Sequence, residues 1–218
     1  MRYATAWLVF ALGVVAGTAS AGSLSVTVVD GRGRPVADSV ITLTPDRPAA
    51  APAVPAPPKT FYIDQKNETF IPYVQVFRPG DSVVFRNSDT TRHHVYSFSA
   101  IKQFEFVLRR GESSPPMVLD KTGIAAVGCN IHDHMITYLY VTAAPFVAMT
   151  GASGTATLDG LAAGNYTVRV WHPQLYPARP PVTARVAVGP AAGPRPMRFR
   201  LDLLPDPRMR MDHEHMDY

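Results

Sequence analysis

Apolar residues in this chain alternate in short runs that turn residues cut off before any helical period can build. Leu24, Val26 and Val28 alternate, Asp30-Gly31 and Gly33-Arg34-Pro35 interrupt, and Ile41 and Leu43 resume the pattern. Side chains two apart share one face of a strand, so this reads as strand, turn, strand. The texture recurs at Val74 and Val76, Val83 to Phe85, His94 to Phe98, Phe104 to Leu108, Ile124 to Val127 and Tyr138 to Val141, with Pro79-Gly80-Asp81 among the turns. It resumes after Ala144-Pro145 at Thr155 to Leu158, Tyr166 to Trp171, Val182 to Val188 and Met197 to Leu203. Proline (21) and glycine (15) together are about one residue in six, above the usual ~12% but below the ~25–30% of low-complexity chains. The expected class is all-β, built of sandwiches.

At 218 residues the chain is long enough for one large domain or two small ones, each with a core that needs no disulfide staple. With 46% apolar residues, 17% charged residues and a net charge of +4, it is not a charge-driven disordered chain. Arg2, an apolar run from Ala4 to about Val15, and Ala19-Ser20-Ala21 read as a signal peptide over residues 1–21. The apolar run falls short of the ~20 residues of a spanning helix, which disfavours an uncleaved anchor. No later segment suits a membrane span, so the expected product starts near Gly22 in an oxidising compartment, the periplasm. A single cysteine there excludes intrachain disulfides and four-cysteine metal sites. A reactive lone thiol in such a space needs something to hold it, and a metal ion would.

The candidate chemistry is concentrated in Cys129-Asn130-Ile131-His132-Asp133-His134-Met135. A thiolate, an imidazole and a thioether at this spacing can meet at one ion if the chain reverses between two strands. Sulfur with imidazole favours copper among first-row metals, and two histidines, one cysteine and a weak axial methionine make the blue-copper set. The second histidine is offered by Arg92-His93-His94-Val95. His93 and His94 are both candidates for that ligand; His134 is a competing donor beside Met135, and its imidazole would lower the potential. Asp133 reads as a solvated residue, because carboxylate oxygen suits copper(I) poorly. Tyr96 and Phe98 read as β-core positions, and Trp171 and His172 as packing and surface residues of a second module.

Residues 60–143 resemble a cupredoxin, the Greek-key sandwich of plastocyanin and amicyanin. The likeness runs through Phe70-Ile71-Pro72, Pro79-Gly80-Asp81, Val83-Val84-Phe85-Arg86-Asn87, the spacing from Phe85 to His93, Gly123 and the cysteine segment. It implies one type 1 copper ion held by His93, Cys129, His132 and Met135, with His132 as the electron exit. Plastocyanin-like domains carry Asn directly after the first histidine ligand, where this chain has His94. RHHVYSFS, GCNIHDHM and VWHP further resemble periplasmic proteins named methylamine utilization proteins. Val26 to Val36 and Gly154 to Val168 resemble the carboxypeptidase regulatory-like, transthyretin-like sandwich. The expected organisation is therefore one small Ig-like sandwich from 22–45 plus 146–204, an Ala/Pro-rich linker at 46–59 and an inserted cupredoxin domain at 60–143. Residues 205–218 are expected to form a disordered tail carrying Met209, Met211, His213, His215 and Met216, a possible copper-collecting segment.

The function implied is transfer of single electrons with a periplasmic cytochrome or dehydrogenase. The alternatives are copper delivery or buffering, and a metal-free interaction module. An enzyme is not expected, because a His₂Cys-Met set leaves no position for substrate. Nucleic acid is not an expected partner of an exported chain. The Asn67 and Asn165 sequons carry no further inference.

Overall fold

The computed structural model describes residues 22–47, 56–176, 181–189 and 193–209. The expected signal peptide, residues 48–55 of the expected linker, and Met211, His213, His215 and Met216 lie outside them. In chain order the strands are β1 (Gly22–Asp30), β2 (Val40–Pro45), β3 (Thr60–Gln65), β4 (Phe70–Ile71), β5 (Val74–Phe77), β6 (Ser82–Asn87), β7 (His93–Ser99) and β8 (Lys102–Leu108). They continue with β9 (Met117–Val118), β10 (Gly123–Cys129), β11 (His132–Val141), β12 (Phe146–Met149), β13 (Thr155–Leu161), β14 (Gly164–Trp171), β15 (Val182–Val188) and β16 (Pro194–Leu201). A short 3₁₀ turn, Pro207–Met209, follows. Among the described residues no helix is long and apolar enough to cross a membrane.

The described residues form an all-β fold in four sheets. Strands β3 to β11 make two of them, ordered β5-β11-β10-β7-β8 and β4-β3-β6-β9. Their inward side chains, among them Ile63, Phe70, Phe85, Val95, Val127 and Leu139, form one core. The other two sheets, β13-β1-β16 and β12-β2-β14-β15, enclose a second core that includes Leu24, Val26, Leu43, Val168 and Phe199. Here β1 pairs antiparallel with β13 and parallel with β16, so a strand preceding the linker lies between strands from the C-terminal third.

A third cluster joins the two sandwiches. Val40, Tyr73 and Val74 are buried there, with Ile136, Tyr138, Tyr140, Val147 and Trp171 packed around them. The Trp171 ring meets Tyr140 at 5.1 Å and Tyr138 edge-on at 5.8 Å, distances typical of favourable aromatic pairs. Trp171 is thus packed against the other sandwich, beyond its own module. His172 is buried where a surface position was expected, covered by Ala37, Gln174 and the Asp206–Arg208 pair. Nor do residues 205–209 begin a free tail. Arg208 places its guanidinium 3.5 Å over the Tyr73 ring and makes a forked ion pair with Asp206. Tyr96 and Phe98 are also displaced from their expected core positions: His93, Val95 and Ser97 point inward on β7, so Tyr96 and Phe98 point out, Tyr96 half-buried and Phe98 73% exposed.

Burial pushes the His172 imidazole down to about 4, against a hydrogen bond with Ala37, with Arg208 and Asp206 also acting on it. Its Nδ1 accepts the Gln174 backbone N–H at 3.2 Å. The unfolded chain, with its ordinary value of 6.5, binds a proton here that the folded chain refuses, so stability falls as pH drops from about 6.5 toward 4. Across that window the loss attributable to His172 is about 3 kcal/mol. Urea unfolding at pH 7 and pH 4.5 should therefore show a larger loss in the wild type than in His172→Gln; equal losses would place the acid sensitivity elsewhere.

Candidate metal centre

Strand alternation decides which of two adjacent histidines faces inward. β7 begins at His93, which is fully buried and pairs with Leu108 of β8. His94 consequently faces the other way. Its Nε2 lies 2.7 Å from Glu105 Oε1, and its Nδ1 lies 3.4 Å from Asn130 Nδ2. The backbone N–H of Asn130 also donates to the His94 carbonyl at 2.9 Å. His94 thus ties together the two turns that carry the candidate donors, standing outside the donor set.

The reversal after Cys129 is tighter than the loop the spacing suggested. Asn130 and Ile131 alone separate β10 from β11, and Cys129 pairs directly with His132. Directly opposed residues of an antiparallel pair project to the same side, which brings thiol and imidazole together. Between Gly128 and Cys129 the partner jumps from Ile136 to His132, a bulge that leaves Asp133, His134 and Met135 without partners on β10. A bulge resets strand alternation. Met135 can therefore turn into the core shared with Cys129 although His132 stands at its mouth. Asp133 is exposed, as expected for a solvated residue.

The three potential ligand atoms of His93, Cys129 and His132 lie within 4.8 Å of one another. Cys129 Sγ is 3.7 Å from His93 Nδ1 and 3.8 Å from His132 Nδ1. Bonds of the lengths zinc makes, ~2.3 Å to thiolate and ~2.0–2.1 Å to imidazole, set about 120° apart, would separate S and N by ~3.8 Å. The spacing thus matches donors arranged in a trigonal plane, and with Met135 beside them the set fits one type 1 copper ion. His94 and His134 are not part of this convergent group; the His134 ring centroid is 6.2 Å from that of His132.

Two carboxylates not anticipated from the sequence stand behind the histidines. Asn87 donates its side-chain amide to the Thr91 and Leu108 carbonyls and accepts the Asp89 backbone N–H, shaping the turn before β7. In that turn Asp89 Oδ2 accepts the Glu68 backbone N–H at 2.7 Å and lies 3.1 Å from His93 Nε2. Burial pushes the Asp89 carboxyl up, but hydrogen bonds from Glu68, His93 and Thr90 outweigh it and hold it below the usual range. Burial lowers His93, with Asp89 opposing. A neutral imidazole donating Nε2–H to Asp89 leaves the Nδ1 lone pair facing the thiol, the orientation a metal ligand needs. Glu68 Oε1 is 3.6 Å from His132 Nε2, a charge contact longer than a hydrogen bond. An acidic residue in the His93 turn hinted at Asp89; nothing local pointed to Glu68, which reaches the site from the β3–β4 turn.

Two histidines, a cysteine and a methionine gathered at one end of a β-sandwich make the donor set of a type 1, or blue, copper site. No family model and no curated protein matches the chain. Solved structures similar to it include a purple cupredoxin from Nitrosopumilus maritimus, 18% identical, with 37% of this chain and 98% of that one aligned at a TM-score of 0.34. Amicyanin from Paracoccus versutus is 19% identical, with 47% and 97% aligned at 0.35. A copper-containing nitrite reductase from Thermus scotoductus is 23% identical, with 53% and 28% aligned at 0.34. The copper assignment rests on the donor geometry.

His93→Ala should abolish the intense visible band of the Cu(II)-loaded protein, and Cys129→Ser should do the same. His94→Ala should keep the band and lose a few tenths to about 1 kcal/mol of stability with its contacts to Asn130 and Glu105. Visible absorption during Cu(II) titration distinguishes these outcomes, and the reverse pattern for the two histidines would move the ligand to His94.

Proposed function

We propose that this chain is an exported carrier of single electrons, working between redox partners in the periplasm. The observation behind this reading is the graded exposure of the donors: the His93 side chain is 0% exposed and that of His132 13%, while Cys129 and Met135 are buried. The partly exposed His132 thus links an otherwise buried donor set to solvent. Copper supplies a one-electron Cu(II)/Cu(I) couple when bound. Cys129 would contribute the thiolate, His93 and His132 the imidazoles, and Met135 a thioether donor. Donors fixed on hydrogen-bonded strands move little between oxidation states, which keeps the reorganisation cost of each transfer low. His132 is the point at which a partner such as a cytochrome or dehydrogenase would take or give the electron. The donor set leaves no position for a substrate, which favours a carrier over an enzyme. The second sandwich, with its likeness to carboxypeptidase regulatory-like modules, serves packing and docking.

The test is to load the protein starting at Gly22 with Cu(II). One copper per chain, an intense charge-transfer band and a reversible one-electron potential are expected, with band and potential lost in Cys129→Ser. A colourless protein with weak, exchangeable copper would favour delivery or buffering, and absence of copper binding would leave an interaction module.

A further inference from the structure

The imidazole edges turned away from the site each meet a carboxylate, and the two carboxylates are linked. Asn67 and Glu68 both have left-handed backbone conformations, φ 51° and 52°, at the tip of the β3–β4 turn closed by Lys66 and Thr69. Such conformations are uncommon for residues other than glycine and persist where surrounding structure holds them. Here the Glu68 N–H is held by Asp89, while the Glu68 carboxylate approaches His132. One turn from the opposite sheet thereby touches the outer edge of His132 and the carboxylate behind His93.

We infer that Glu68 and Asp89 set the reduction potential of this centre, biasing it toward the oxidised ion through the outer edges of both imidazoles. The inference rests on the copper-carrier reading above. With the Cys129 thiolate they place three negative charges around an ion of charge +2 or +1, so an added electron deepens a negative surplus that the oxidised ion already leaves. Coulomb interactions over such distances matter most where water is excluded, and Asp89 is largely buried. A carboxylate accepting the imidazole N–H also makes the opposite nitrogen a stronger donor, which favours Cu(II) over Cu(I). Arg92 lies beside His93 and His94 at a shallow pocket; it is the same in every variant below and does not alter their comparison.

The test compares the copper-loaded wild type with Asp89→Asn, Glu68→Gln and the double variant. Asparagine and glutamine keep the shapes and lose the charges, so a bracing role alone would leave the potential in place. Each single variant should keep the visible band and one copper per chain, and should raise the potential by about a tenfold change in Cu(I) over Cu(II) preference, ~59 mV for one electron. The double variant should rise further. Should Asp89→Asn fail to fold, Glu68→Gln and the charge-reversed Glu68→Lys, on a part-exposed turn, decide the matter. Unchanged potentials in variants with an intact blue site overturn the inference while sparing the carrier reading. A wild type without a blue site overturns that reading and this inference with it. A readout without metal separates the two: nitrogen-15 shifts of His93 in the copper-free protein should report the proton on Nε2, and Asp89→Ala should disturb that preference; no disturbance would remove Asp89 from the inference.

Discussion

The direct pairing of Cys129 with His132 across a two-residue turn is the constraint on which the centre depends. It fixes thiol and imidazole on one side of a hairpin whose strands are hydrogen-bonded from Gly123↔Val141 to Gly128↔Ile136. The bulge beside it absorbs three residues and frees Met135 to enter the core. Cys129 also pairs with Val95 of β7, two residues from His93. Three adjacent strands of one sheet therefore carry all four donors, and the site's geometry is inherited from the sheet's register.

Local patterns made the strands and the donor segments legible, because alternation and a short Cys-His-Met spacing are written within a few residues. The choice between His93 and His94 was not, since it depends on where β7 begins; the structure starts the strand at His93 and alternation then turns His94 outward. Phe98 misled for the same reason, being apolar on the face that carries Tyr96 and no core. Glu68 was invisible because it reaches the site through a tertiary contact from another sheet. Trp171 and His172 look like ordinary residues of a C-terminal strand, because the contacts of Trp171 with Tyr138 and Tyr140 and of His172 with Ala37 and the Asp206–Arg208 pair are all tertiary.

β11 links the two halves of the molecule. Its first residues hold His132 and Met135, and its later outward residues, Tyr138 and Tyr140, pack on Trp171. The Tyr138 backbone N–H also donates to the Tyr73 carbonyl, and the Tyr73 ring lies under Arg208. The second sandwich and the C-terminal turn thus clamp the far end of the strand that carries the donors.

The parallel pairing of β1 with β16 has a consequence for how the chain is made. Strands β3 to β11 are consecutive and find their sheet partners among themselves, so they can condense without the strands that follow them. β1 appears first but stays without its parallel neighbour until almost the whole chain exists, and closing that contact spans most of the polypeptide. The unit holding the copper donors can therefore finish early, while the sandwich that opens the chain must wait for its last strand.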